Sequence, residues 1–374
     1  MEVHMEISRQ HIGIYDIAVP LWVGGMGVRI SGWQLVLAVL LEGCLGTLTS
    51  MGLGDLSHGM TYAEFNRTSC AALEYEIAML HAAMRERNIT GRPFAVNIMG
   101  ALSNADDLVR TAVNAGAKII VYGAGIPRTL PAVVQDPNVA LVPVISSARL
   151  AQLILKMWKR YDRVPNAFVI EGPEAGGHLG FSFEQLQHME EYSLENILAE
   201  TLALIRPYED ACGRKIPLIA AGGLYTGGDM AKMYALGATF VQMGTRFVAT
   251  NECPVSQEFK QAYVNARPED VTIIKTPVGM PGRVLRNVFL KRLQNGNIPT
   301  PSCPFHCILS CERDAAGFCI AERLVNSYRG DTDNGLIFCG ANVHRINCIM
   351  SVHELITELI DGVHASPLTL PRTL

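Results

Sequence analysis

The chain has 374 residues, is 49% hydrophobic and carries a formal net charge of −4, enough to bury one large core or two ordinary ones. Its acids and bases are interspersed with no basic face, which speaks against nucleic acid or a membrane surface as a partner. The most apolar run, 35–41, is broken by Glu42 and Gly43 and falls far short of the roughly 20 apolar residues that span a bilayer. Ten scattered cysteines and the polar start Met1-Glu2-Val3-His4 point to reduced thiols and a cytoplasmic setting.

Short apolar runs punctuate the chain. The first, 17–23, ends in Gly24-Gly25-Met26-Gly27, and a helical stretch 31–41 leads to the second at 45–49. A strong helix over 70–87 precedes the third at 93–98, with Asn97 at its tip, and a helix opening near Asp106 leads to the fourth at 118–123. The fifth, 140–145, is capped into a helix by Ser146-Ser147, and the sixth is 167–170. Helical stretches at 182–186 and 193–206 lead to the seventh at 217–221, which runs into Gly222-Gly223. A helix over 229–236 leads to the eighth at 239–243, which runs into Gly244-Thr245-Arg246.

These runs are apolar throughout instead of alternating, as in a parallel sheet buried on both faces. Eight strand–helix units match a (β/α)8 TIM barrel. A doubly wound sheet would ask for a dinucleotide fingerprint after the first strand, and Gly24-Gly25-Met26-Gly27 is not one. Beyond 258 the pattern changes. A helix over 258–266 is followed by a loop with one short strand over 271–281, an amphipathic basic stretch 282–293 and a turn-rich linker 295–304. A helix over 315–327, a turn at 330–334 and a closing helix over 352–360 complete the chain. The expectation is a barrel over residues 1–265 and a smaller, mainly helical, cysteine-containing lid or substrate region over 266–374.

The chemistry-bearing residues converge once the barrel is drawn, because barrel active sites lie at the C-terminal ends of the strands. Gly24, Gly25 and Met26 end the first strand, and Asn97 ends the third. Glu171 and the group Gly176-Gly177-His178 follow the sixth. Gly222-Gly223 and Gly244-Thr245 end the seventh and eighth, where barrels commonly bind phosphate through backbone N–H groups. His178 titrates in the range a proton-transfer group needs. The bland alternative is a glycine-rich loop with an incidental histidine.

Together the segments Gly24-Gly25-Met26, Arg92 to Asn97, Glu171 to Gly180, Ala220 to Gly223 and Met243 to Phe247 resemble the FMN-dependent nitronate monooxygenase (2-nitropropane dioxygenase) family, relatives of flavin-dependent enoyl-acyl carrier protein reductases. The resemblance runs from about Ile17 to Asn287. It implies FMN in a barrel, with Gly24 among the cofactor-binding residues, Gly25 and Met26 along the ring, and Asn97 and Glu171 near the ring or ribityl chain. Gly176, Gly177, Gly222, Gly223, Gly244 and Thr245 would hold the chain and phosphate, and His178 would be the base or proton donor. Val144 stands where some family members carry a lysine, and Cys339-Gly340 aligns loosely where some show a small hydroxyl residue.

The implied activity is oxidation of alkyl nitronates or nitroalkanes with O2. The runner-up is an NAD(P)H-dependent enoyl-thioester reductase, and a third reading is a flavin and cluster redox protein; a homodimer is left open. The third reading draws on Cys303, Cys307, Cys311 and Cys319, four thiols within 17 residues. Such a set suits Zn²⁺ or an iron–sulfur cluster, but C-x3-C-x3-C is not a usual zinc spacing. At helical spacing the first three equally form one apolar face, and no metal is assigned from the sequence.

Overall fold

The computed structural model describes residues 7–54, 60–298, 303, 306–312 and 315–367. Eight parallel strands close into a barrel: β1 (Leu21–Val23), β2 (Leu45–Thr49), β3 (Ala95–Met99), β4 (Ile119–Gly123), β5 (Ala140–Ile145), β6 (Phe168–Glu171), β7 (Leu218–Ala221) and β8 (Phe240–Met243). Neighbours in the barrel are neighbours in sequence, and β8 pairs with β1 through Val241–Leu21 and Met243–Val23.

Apolar residues on both strand faces find separate partners. Trp22, Leu45, Ile119, Val121, Val142, Val169, Ile219 and Phe240 fill the barrel interior. Their alternates, such as Leu21, Leu48, Val96, Ile120 and Leu141, face the helices. Inside, the Trp22 indole donates to Thr47 Oγ1 at 2.6 Å, so the polar edge of that ring is satisfied. Ile17 is not in the first strand as the sequence suggests. It ends a hairpin, Gln10–Ile12 with Tyr15–Ile17, whose Ile12 and Ile17 join the interior cluster.

The outer helices begin at side-chain caps. Thr61 and Glu64 form a capping box ahead of Tyr62–Glu86, Ser147 caps Ala148–Trp158, Ser193 caps Leu194–Cys212, and Thr226 and Asp229 box Gly227–Ala235. After β8 only the four-residue helix Thr245–Val248 follows directly. The helix that packs between Gly227–Ala235 and Trp33–Leu41 is the last one, Val352–His364.

Between these come Gln257–Val264 and two strands, β9 (Val271–Lys275) and β10 (Pro281–Leu285). The single strand expected in 271–281 is thus a pair, and the amphipathic stretch 282–293 splits into the end of β10 and the helix Val288–Gln294. Buried Arg283 ties the strand to Ala175 O. The helix expected over 315–327 is Ile320–Tyr328. Part of the linker expected over 295–304 lies outside the described residues. No helix among the described residues is long and apolar enough to cross a membrane.

Candidate active site

The C-terminal ends of the strands open into a cavity of about 290 Å³. Gly24, Gly25, Met26, Asn97, Glu171, Gly176, Gly177, His178, Gly222, Gly223, Gly244 and Thr245 all line it. Sequence-distant residues line it too, among them Phe338, Cys339, Gly340 and Asn342.

One wall is glycine and asparagine. Gly24 N donates to Met243 O at 3.0 Å, which extends the β8–β1 seam past the strands. A Cβ on Gly25 would stand 2.3 Å from Asn97 Cβ, so only glycine lets Asn97 lie beneath it. Asn97 is the middle residue of β3, two residues before its end, and is half-buried in the barrel mouth. Val144, where the resemblance led to an expectation of lysine in some members, lines the same space with an apolar side chain.

The loop after β6 supplies the opposite side. Gly177 and His178 form a two-residue strand paired with Arg283 and Gly282 of β10, so the loop is held by the region beyond the barrel. Leu179 N donates to Pro281 O at 2.8 Å and Ser146 Oγ to Gly180 O at 2.7 Å. Gly176 packs flat on the 339–340 backbone, where a Cβ would sit 2.7 Å from Cys339 C. The His178 ring stands edge-on to Phe338, with centroids 4.9 Å apart at 63°. Its Nε2 is sealed from solvent and has no hydrogen-bond partner.

The third side joins β7, β8 and the late segment. Gly222 and Gly223 adopt φ of +95° and +80°, which exposes their backbone to the cavity. Asn342 Nδ2 donates to Gly223 O at 2.6 Å, and Gly340 N donates to Thr245 Oγ1 at 2.9 Å. Tyr225 lies between two guanidinium groups, Arg246 at 4.5 Å and Arg345 at 4.2 Å from its ring centroid.

Burial sets the charge. It lowers the His178 pKa to about 4, so the imidazole is neutral at physiological pH. It raises Glu171 to about 7, so that carboxyl is part-protonated there. Met51, Phe65, Met99, Leu102, Val278 and Leu324 add apolar surface to the lining. A flat aromatic cofactor with a polar chain fits these residues on two counts: the glycine positions that a Cβ would fill, and the orphaned imidazole nitrogen.

A family model described as nitronate monooxygenase matches residues 8–362. The chain belongs to the nitronate monooxygenase family. The match extends beyond the stretch 17–287 that the motifs delimit and takes in the late segment that closes the cavity. A probable nitronate monooxygenase from Staphylococcus saprophyticus is 24% identical, over 80% of this chain and 84% of that protein. A (3aS,4S,5R,7aS)-5-hydroxy-7a-methyl-1-oxo-octahydro-1H-indene-4-carboxyl-CoA dehydrogenase from Mycobacterium tuberculosis is 29% identical, over 76% of this chain and 68% of that protein. FabK from Thermotoga maritima superposes with a TM-score of 0.69 at 27% identity, over 92% of each chain. The nitronate monooxygenase family member described here is therefore an oxidoreductase enzyme on a fold that serves flavin chemistry.

Among the lining residues that sequence reasoning passes over are Phe338, Asn342 and Tyr225. Phe338 and Asn342 lie about 160 residues beyond the His178 loop they touch or adjoin in the cavity, and no local pattern links them. The available signal was the apolar run Leu336-Ile337-Phe338-Cys339 breaking at Gly340, the same strand-end signature used elsewhere in the chain.

Proposed function

We propose that this protein is an FMN-dependent oxidoreductase acting next to the carbonyl of an apolar acyl thioester. The observation that carries the reading is a neutral, unpartnered imidazole, His178, beside an apolar lobe bounded by Met51, Phe65, Met99 and Leu324. A small nitroalkane leaves that lobe unfilled, whereas an acyl body fills it and excludes water. The named carboxyl-CoA dehydrogenase relative and the likeness to FabK support the same choice, as does Val144 in place of a lysine.

Gly24, Gly25, Met26, Asn97 and Glu171 would border the FMN ring and chain, and Gly176, Gly177, Gly222, Gly223, Gly244 and Thr245 would hold the chain and phosphate. Bound there, FMN supplies the electron-pair chemistry that no side chain offers. His178 Nε2 takes or gives the proton at the carbon beside the carbonyl, a task suited to a neutral imidazole. Phe338 and the Gly177–His178 pairing with β10 fix the ring's direction. The barrel, 1–265, carries the cofactor side, and the region 266–374 covers the substrate side before its last helix returns to the barrel wall.

Oxidation of an alkyl nitronate with O2 is the second reading, favoured by family membership and by the same neutral base. The two separate in one experiment. Purified yellow protein is offered crotonyl-CoA with NADH or NADPH, and separately propyl-2-nitronate with oxygen uptake followed. Thioester-dependent nicotinamide turnover without oxygen uptake supports the proposal; nitronate-dependent oxygen uptake with no thioester turnover overturns it.

A further inference from the structure

His178 shares the edge of β10 with a second segment. Strand β9 covers one edge of β10 along its whole length, from the pair Val271–Leu285 to the pair Lys275–Pro281. The other edge carries two stretches from distant parts of the chain. Gly177 and His178 pair with Arg283 and Gly282, and Phe338 pairs with Val284. Leu285 N donates to Ile337 O at 2.9 Å and Cys339 N to Arg283 O at 3.1 Å, which fixes the backbone on both sides of Phe338.

This register puts two rings on one face. Residues opposed across an antiparallel pair point the same way, as do residues two apart along a strand. His178 lies opposite Gly282 and Phe338 opposite Val284, so Phe338 takes the place that Gly176 would hold had its strand continued. Phe338 is also the diagonal neighbour of Gly282. A Cβ at 282 would stand 2.9 Å from Phe338 Cε1 and 2.7 Å from Thr276 Cγ2. Glycine there leaves the space over which the Phe338 ring leans to meet His178 edge-on.

The last hold on Phe338 comes from the helix Gln257–Val264. Tyr263 is 2% exposed and donates its hydroxyl hydrogen to Phe338 O. Its ring packs on Phe259, with centroids 5.4 Å apart, so the donor is itself held. Burial keeps the phenol protonated at physiological pH. With its backbone pinned, Phe338 has only a few staggered side-chain positions open to it. The one it adopts sets its ring against an imidazole whose Nε2 has no hydrogen-bond partner.

We propose that Tyr263 is a positioning residue for His178, acting through Phe338, with Gly282 supplying the clearance between the two rings. The role rests on the proton transfer proposed for His178. Tyr263 also borders the cavity, so direct contact with substrate is the competing role, and a double-mutant cycle separates the two. In the flavin-loaded full chain, with crotonyl-CoA and NADH, Tyr263→Phe should lower kcat about five- to tenfold, the scale of one hydrogen bond. KM should stay within about twofold, because the loss falls on the chemical step. Phe338→Leu should lower kcat at least as much. Since both act through one ring, Tyr263→Phe should cost less than about twofold more once Phe338 is leucine. Tyr234→Phe removes a similar bond, to Pro20 O, outside the cavity lining and should leave kcat unchanged.

The second readout is the imidazole itself. Burial alone holds the His178 pKa down, and a displaced Phe338 ring admits water. The histidine NMR signal that vanishes in His178→Ala should therefore titrate at higher pH in Tyr263→Phe and Phe338→Leu, with bound flavin and circular dichroism unchanged. Effects on kcat that multiply in the double variant, or a His178 titration that moves in neither, overturn the proposal. Should crotonyl-CoA not be turned over, the titration decides alone. A normal rate in His178→Ala removes the proton role and leaves the seating of the ring to the titration. If Phe338→Leu fails to fold, the titration of Tyr263→Phe decides.

Discussion

His178 shows how its surroundings set the charge of one side chain. Its ring stands edge-on to Phe338 and its Nε2 is buried and without a partner, so replacing it disturbs little else. His178→Ala should lower kcat by about 10²-fold or more while the bound flavin per chain stays constant. A normal rate in that variant would remove the histidine from the proton-transfer role. Glu171 carries a different signature. Its folded pKa of about 7 exceeds the ordinary 4.5, so between those values the native state holds a proton that the unfolded chain has lost. That contribution is complete below pH 4.5 and disappears as the pH rises through 7. His178 runs the other way: its contribution is present above 6.5 and is lost as the pH falls toward 4. Glu171→Gln removes only the first effect. Relative to the unmodified protein it should gain about 2–3 kcal/mol on going from pH 5 to pH 8, as read by urea unfolding at the two values. A gap that does not change with pH would show that the carboxyl is not desolvated.

At the scale of elements, Gly227–Ala235 and Val352–His364 pack closely in the outer ring. A Cβ on Gly227 would stand 2.2 Å from Leu359 O and 2.5 Å from Val363 N, and Gly362 faces it across the contact. Backbone cannot yield as a side-chain tip does. Gly227→Ala should therefore cost at least about 2 kcal/mol in denaturant unfolding; a neutral effect would mean that the last helix is free to slide. The same helix is tied to the cavity by Glu358, which pairs with Arg246 at 2.8 and 3.1 Å. Because that carboxylate is half exposed to solvent, Glu358→Gln should cost no more than about 1 kcal/mol in the same assay.

Legibility in the sequence follows the range of each interaction. The barrel strands are local apolar runs, most of them ended by glycine, so seven of the eight are placed to within two residues, and the first loses Ile17 to a hairpin that only the closed barrel explains. The glycine and histidine side of the cavity sits at those strand ends and is visible for the same reason. The β10 pairing with Gly177–His178, the Phe338 contact and the Asn342 clamp on Gly223 each join residues about 100 or more apart, and no period or motif encodes them.

Taken whole, the molecule does not finish the lining of its cavity within the barrel segment. The loop after β6 is paired on β10, tied through Arg283 to Ala175 O, and faced by Phe338. Asn342 and Gly340 hold the loops after β7 and β8. The gap in the helical ring between Trp33–Leu41 and Gly227–Ala235 is filled by Val352–His364, whose Val352, Leu355, Ile356, Leu359 and Val363 are buried. Removing residues after 265 strips all three supports together and uncovers the apolar faces of Trp33–Leu41 and Gly227–Ala235. Burial of five such side chains is worth several kcal/mol, comparable to the whole stability of many domains. A chain ended at residue 265 should therefore lose its cooperative thermal transition and its bound flavin, measured by calorimetry and by absorbance after gel filtration. A soluble 1–265 fragment that melts cooperatively and stays yellow would show that the barrel is self-sufficient and that the later region only covers the substrate.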